Sequence, residues 1–461
     1  MVRSTTPAID VWRQATCVVQ RKTLSLDVGT ISRSGAHQHP DGVCDHCCHI
    51  GLAAPQMHPA SSFLFATGIE NSYPTLASGA RVDQMEKCGH YARWEEDFAL
   101  VRELGLNALR YGPAYYRTHA APNRFEWDSA DAPMERLREL GIEVIADLCH
   151  FGVPTWLGGF QDAAFPVLFA EYARAFARRY PWVRYFTPVN EIFICASFSA
   201  LRGWWNECEA SDTAFVRALR NLCMAHELAV EAILTERPDA IIVQGESIEY
   251  FHPAGRAAAK EADRLNGIKH LSLDLTLGRE LGHGMAAYLN EHGVTSNDLS
   301  FFRERRGVGQ RWLGTDYYTT CEHRIAANGR CTTARRGVGF RALAAQYYQR
   351  YGLPLFHCET NQVSDRAVEW LNDQWSDILA LRSSGVPMRG FTWYSLTDQI
   401  DWQHGLRLER NDLHPVGLFD LERRPRPVAH RYREIVASWS AEFVTTCDES
   451  ALAQWEVRAE A

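Results

Sequence analysis

The pattern of apolar and polar positions changes character near residue 61. Beyond it, short apolar, β-branched or aromatic runs recur at Ser62–Thr67, Asn107–Tyr111, Glu143–Cys149, Val183–Val189, Ala240–Gln244, Trp312–Tyr317, Leu353–Cys358 and Arg389–Tyr394. Runs of this length and composition read as strands buried on both faces. Between them lie amphipathic stretches that read as helices: Trp94–Leu104, Val167–Tyr180, Phe215–Leu234, Ala342–Tyr351 and Ala367–Arg382. Alternation of this kind predicts parallel strands joined by crossover helices. Eight such units predict closure into a (β/α)₈ barrel, which fills roughly 200 to over 400 residues as one domain. An open doubly wound sheet is the alternative. It usually carries a glycine-rich phosphate loop after its first strand, and Ala66-Thr67-Gly68-Ile69-Glu70 is not one.

The barrel is assigned to residues 61–440, with 441–461 as a C-terminal tail. Residues 1–60 are rich in Ser, Thr, His, Gly and Cys and hold neither period, which predicts a poorly ordered extension. Within it, Cys44-Asp-His46-Cys47-Cys48-His49 offers residue types that bind zinc. The would-be ligands are crowded together without a second cluster, so an oxidation-prone tail is the favoured reading.

Composition narrows the function. A net charge of −8 without a basic patch argues against a nucleic-acid partner. No run approaches the ~18 apolar residues of a membrane span. The start of the chain lacks a basic segment followed by an apolar one, so no secretory signal is expected. With 13 scattered cysteines, reduced thiols in a cytoplasm fit best. The 14 tryptophans serve core packing or the stacking of flat, apolar sugar faces, and composition does not separate these uses.

In such barrels the chemistry sits at the C-terminal ends of the strands. The polar residues predicted there are Arg110, His150, Asn190-Glu191, Glu246, Asp316 with Tyr318, Glu359, and Trp393-Tyr394. Glu191 and Glu359 fall on opposite sides of the mouth. Cleaving a glycosidic bond needs one carboxylic acid to protonate the leaving oxygen and a second carboxylate to attack the anomeric carbon or activate water. A carboxyl spacing of about 5–5.5 Å makes the second group a nucleophile and retains configuration. Like charges that close push one pKa up and keep the acid protonated.

From about Phe63 to Ile435 the chain resembles a divergent member of the family 1 glycoside hydrolases. The resemblance is carried by Cys88-Gly-His-Tyr-Ala-Arg-Trp-Glu-Glu-Asp97, Leu109-Arg110-Tyr111, His150-Phe-Gly-Val-Pro154-Thr-Trp156 and Phe186-Thr-Pro-Val-Asn190-Glu191. It continues in Gly314-Thr-Asp316-Tyr317-Tyr318, Phe356-His-Cys-Glu359-Thr-Asn361 and Ser395-Leu-Thr-Asp398-Gln-Ile-Asp401-Trp402. The resemblance implies Glu191 as acid/base and Glu359 as nucleophile. It implies that Arg110 keeps Glu359 ionised, Tyr318 donates to Glu359, Asn190 bonds the sugar 2-OH and His150 bonds a ring hydroxyl. Glu70, Trp393, Asp401 and Trp402 complete the implied sugar-binding set, with no metal or cofactor and a carbohydrate or glycoside as partner.

The sequence departs from the family pattern at Ile192, Asp316, Asp401, the offset Trp393-Tyr394 and the altered first-strand motif near Glu70. These changes leave the catalytic pair intact and alter the sugar-recognition set. Carboxylates at 70, 316 and 401 predict that cationic or strongly donating glycosides are preferred to uronides and sugar phosphates. Trp204-Trp205-Asn206-Glu207 either lines the leaving-group side or forms a buried hinge of the rim. A transglycosidase sharing the first step and a sugar-binding pseudoenzyme are the competing readings. A metal-dependent barrel hydrolase would need clustered His and Asp ligands, and only His150 is well placed. Oligomeric state is left open.

Overall fold

Eight parallel strands close on one another: β1 (Leu64–Gly68), β2 (Ala108–Tyr111), β3 (Glu143–Asp147), β4 (Tyr185–Thr187), β5 (Ile241–Ser247), β6 (Gln310–Asp316), β7 (Leu355–Glu359) and β8 (Met388–Trp393). Each pairs with its neighbours in chain order, and β8 returns to β1 with Leu64 opposite Gly390 and Thr67 opposite Trp393. These are the eight runs legible in the sequence, with ends shifted by no more than three residues. The computed structural model describes residues 63–439, Arg336 excepted. The expected N-terminal extension with its Cys/His cluster, and the tail 441–461, lie outside the described residues.

Period-two alternation sorts the strand side chains into two layers. Leu64, Ala66, Ala108, Ile145, Ile241, Val243, Trp312 and Phe356 cluster inside the barrel. Their sequence neighbours Phe65, Leu109, Val144, Ile242, Leu313 and Leu355 join the outer core under the helices. The longer helices around the barrel include α1 (His90–Glu103), α2 (Asp128–Glu139), α3 (Phe165–Arg179), α4 (Asp212–Glu236), α5 (Phe340–Tyr351) and α6 (Ala367–Ser383), with a further helix over 427–439 and four more, from Arg256–Ile268 to Ser296–Glu304, in the connection from β5 to β6. α3 shows why these stretches are helical and where they pack. Phe165, Phe169, Tyr172 and Phe176 recur on one face, all fully buried, and α3 packs on α4. Ser211 caps α4 by accepting from the Ala214 amide at 3.1 Å. Gly352, at φ 68°, ends α5 in the left-handed conformation that glycine adopts without a Cβ clash.

Two features of the strands shape the mouth. Gly245 and Gly314 pair across β5 and β6, and a Cβ on Gly314 would lie 2.7 Å from the Gly245 Cα. Glycine at both positions lets the strands keep this approach and leaves room above for Asn190 and Asp316. On β7 the register slips: Phe356 pairs with Gly314 and Glu359 with Asp316, so three steps on β7 oppose two on β6. The extra residue reverses the side-chain parity. Strict alternation from Phe356 would turn Glu359 outward, whereas the bulge brings it to the face that carries Asp316.

A buried ion pair ties α4 to the barrel. Arg311 at the start of β6 donates both Nη groups to Glu227 at 2.8 Å each, and both side chains are buried. Arg311→Met strands the Glu227 carboxylate and is expected to cost about 3–5 kcal/mol of stability. Urea unfolding checks this, and Arg311→Met with Glu227→Leu is expected to recover most of the loss.

Candidate active site

The site is built outward from Arg110, a buried guanidinium at the end of β2. Its Nη1 donates to Glu359, and its Nη2 donates to the Asn190 side-chain oxygen and pairs with Asp147 at 3.0 Å. Asp147 at the end of β3 also accepts from His150 Nδ1 at 2.7 Å. The second ring nitrogen of His150 receives the Asn190 Nδ2 at 3.1 Å. This pattern places the His150 proton on Nδ1. Burial works against the Asp147 carboxylate, but Arg110 and His150 outweigh it and hold its pKa below the usual range. Tyr318 donates its hydroxyl to the other oxygen of Glu359 at 2.7 Å. Glu359 is thus a carboxylate with a cation on one side and a phenol on the other.

Glu191 sits differently. It follows Asn190 in a left-handed conformation, φ 40° and ψ 63°, and heads the short helix Ile192–Ala196. Its amide donates to the Gly245 carbonyl at 3.1 Å, and the Asn190 amide to the Cys149 carbonyl at 3.0 Å. These bonds fix both residues between β3 and β5. Glu246 supports the turn by accepting from the Phe193 amide at 3.1 Å, and its own burial pushes it up to about 8. Among the described residues, none donates a hydrogen bond to the Glu191 carboxyl. Burial, then the charges of Glu359 and Asp316, push its pKa well above the ordinary carboxyl range.

Asp316 completes the centre. It ends β6 opposite both Ser247 and Glu359 and is fully buried, and neither of its oxygens accepts a hydrogen bond. An oxygen from each of Glu191, Asp316 and Glu359 lies within 4.8 Å of one from each of the others. Among the described residues this is the group of acidic, His or Cys side chains spaced closely enough to hold a metal ion.

The sugar-binding set inferred from the sequence separates on inspection. His150, Asn190, Arg110 and Tyr318 converge as expected. Glu70 is near them but satisfied: Ser72 donates its amide at 3.0 Å and its hydroxyl at 2.5 Å, and Gln399 donates at 2.9 Å. Trp402 is half-buried beside Phe151 and Trp205, and its indole N–H has no acceptor among the described residues. Asp401 belongs to a different job. Its two oxygens take the amides of Arg410, Asn411 and Asp412 at 3.1, 3.0 and 2.9 Å, so it pins the loop after β8 and does not join the implied sugar-binding set. Trp393 is likewise turned away, fully buried with its Nε1 on the Val416 carbonyl at 2.9 Å.

Tyr394 faces the site in place of Trp393. Its ring lies parallel to His150, centroids 6.1 Å apart, with the Arg110 guanidinium 5.5 Å from its centre. The family resemblance implies Trp393 for this place and marks the pair Trp393-Tyr394 as offset. The alternation along β8, with Phe391 and Trp393 both in the outer core, was the signal that separates them. Asp147 was missed altogether, although Asp at three residues before His150 is a spacing that lets one orient the other. Of the four-residue rim segment, Trp205 donates to the Gly405 carbonyl at 3.0 Å, Asn206 to the Phe151 carbonyl at 3.1 Å, and Glu207 accepts from the Phe160 amide. These three tie the rim to its neighbouring loops, with Trp205 fully buried and Asn206 and Glu207 half-buried.

A closed (β/α)₈ barrel with two acidic side chains meeting over its mouth is the architecture of an O-glycosyl hydrolase. The chain belongs to glycosyl hydrolase family 1, whose family model matches residues 77–327, more than half of its length. A β-glucosidase from Agrobacterium sp. (strain ATCC 21400) is 24% identical over 375 residues, covering 71% of this chain and 80% of that protein. The 6-phospho-beta-glucosidase AscB of Escherichia coli K12 is 23% identical over 84% of this chain and 93% of its own. The fold is that of the β-glucosidase from Thermotoga maritima solved with deoxynojirimycin, with a TM-score of 0.69 at 19% identity over 82% of this chain and 98% of that one.

Proposed function

We propose that the protein hydrolyses a β-glycoside with retention, through a covalent glycosyl-enzyme on Glu359 and with Glu191 as acid and then base. The carrying observation is the asymmetry of two carboxyl groups whose oxygens come within 4.8 Å. That reach is compatible with the ~5–5.5 Å carboxyl separation of retaining enzymes and is shorter than the ~6.5–9.5 Å that inverting enzymes keep between their carboxyl groups. Arg110 and Tyr318 donate to the two oxygens of Glu359 and so hold the carboxyl group of the nucleophile in place. Burial and two neighbouring carboxylates favour the protonated form of Glu191, as an acid requires.

In the first step Glu359 attacks C1, the bond from C1 to the leaving oxygen breaks, and Glu191 gives that oxygen its proton. In the second, Glu191 takes a proton from water, the water oxygen bonds to C1, and Glu359 leaves as the carboxylate. His150 and Asn190 hold ring hydroxyls, Tyr394 presents an aromatic face, and Trp402 offers its free indole N–H. Both carboxylates are in place, which favours an enzyme over a sugar-binding pseudoenzyme.

For this assignment kcat/KM is full while Glu191 is protonated and falls as pH rises through its elevated pKa. Asp316→Asn removes one of the charges that raise it, so the alkaline limb is expected to move to lower pH. A pH profile on a nitrophenyl β-glycoside reads this, and an unmoved limb contradicts it.

The test of the overall reading is a panel of α- and β-nitrophenyl glycosides that includes a β-glucoside, its 6-phosphate and the glucuronide. Turnover of β- and not α-glycosides is expected, with the two anionic sugars poorest. Turnover only of α-glycosides contradicts it, and a tenfold preference for either anionic sugar contradicts the expectation drawn from the carboxylates. A location in the cytoplasm is part of the proposal, supported by the eight described cysteines all being free thiols.

A further inference from the structure

The three carboxylates of the centre have unequal support, and the inequality bears on the substrate. Glu359 has Arg110 and Tyr318. Glu191 has the role of proton donor. Asp316 has neither a partner nor a step in the reaction, although it is fully buried and both of its oxygens lack a donor. The two Nη groups of Arg110 already go to Glu359, Asn190 and Asp147. Buried carboxylates are costly unless something supplies charge or hydrogen bonds.

Resting on the catalytic reading above, we propose that the site selects a glycone bearing a free amine on C2, a 2-amino-2-deoxy-β-glycoside, with Asp316 as the counter-ion of its ammonium group. The position follows from the reacting atoms. C1 must lie against Glu359 while the departing oxygen lies against Glu191. Asp316 has an oxygen within 4.8 Å of both carboxylates and so borders the space that C1 and its substituents would fill. Two atoms bonded to C1 stay with the sugar. One is the ring oxygen, which carries no hydrogen. The other is C2, so its substituent is the donor within reach. A second acceptor borders the same space. The Asn190 side-chain oxygen, which already accepts from Arg110, and Asp316 Oδ2 lie 3.2 and 3.3 Å from the point where a Cβ on Gly245 would stand, with Arg110 Nη2 3.6 Å from it. An ammonium brings one positive charge and three donors to the open oxygens of Asp316, where a hydroxyl brings one donor and no charge.

The experiment measures kcat/KM for 4-nitrophenyl 2-amino-2-deoxy-β-glucoside and for 4-nitrophenyl β-glucoside, with the full chain and with Asp316→Asn. The amine is expected to be the better substrate by at least tenfold, and Asp316→Asn to lower that ratio by at least tenfold. A ratio that Asp316→Asn leaves unmoved overturns the proposal. Calorimetry of the two methyl glycosides on Glu359→Gln, with and without Asp316→Asn, reads the same preference without turnover. Equal binding of both sugars overturns the proposal even where β-glucoside hydrolysis upholds the catalytic reading. Preferred binding of the amine without hydrolysis by the wild-type protein upholds the proposal and sinks the catalytic reading. EDTA is expected to leave the ratio unchanged, and loss of the preference in EDTA would assign the corner to a metal ion and overturn the proposal.

Discussion

Glu359→Gln is expected to abolish turnover of every glycoside, by roughly 10⁴-fold or more in kcat. The amide keeps the shape of the side chain and cannot form the glycosyl ester. The loss should not depend on the leaving group, because no leaving group compensates for a missing nucleophile. The fold is expected to survive, since Arg110 keeps Asp147 and Asn190 as partners and Tyr318 retains an amide oxygen to donate to. An unchanged circular dichroism spectrum and unfolding midpoint separate this outcome from collapse. A variant that folds and loses less than tenfold contradicts the role.

Glu191→Gln is expected to split substrates by leaving group. For alkyl glycosides, whose departing oxygen needs a proton, kcat/KM should fall by about 10²–10⁴-fold. For a dinitrophenyl glycoside the first step needs no proton, so it proceeds, while the second slows because no base activates water. The expected signature is a burst of dinitrophenol followed by a slow steady state. Azide needs no base to attack C1, so it should restore the steady rate and yield the β-glycosyl azide. A variant in which both substrates fall equally, without a burst, is inconsistent with Glu191 as acid and base.

These assignments were legible in the sequence to different depths. The eight strands were readable because a parallel barrel buries both faces of each strand, which makes apolar runs such as Ala240–Gln244 stand out. Glu191 and Arg110 were readable because they lie at the ends of such runs, where a barrel collects its polar residues. Glu359 is reached at the end of its apolar run, but nothing in the local pattern shows the slipped register on β7 that aims it into the mouth. A single extra residue in one strand is invisible to periodicity over five residues. The choice between Trp393 and Tyr394 depends on the parity of β8, which fixes one for the outer core and the other for the site. Asp401 misled because its partners are backbone amides nine to eleven residues downstream, which composition does not reveal. The three carboxylates expected to act together do not. Glu70 and Asp401 are satisfied by the protein, and Asp316 alone is left open.

The account stands most directly on the covalent intermediate. Incubation with 2,4-dinitrophenyl 2-deoxy-2-fluoro-β-glucoside, followed by peptic digestion and mass spectrometry, is expected to find the fluoroglycosyl group esterified to Glu359 in stoichiometric amount. A label on Glu191 or Asp316, or steady release of dinitrophenol without any label, would contradict double displacement through Glu359.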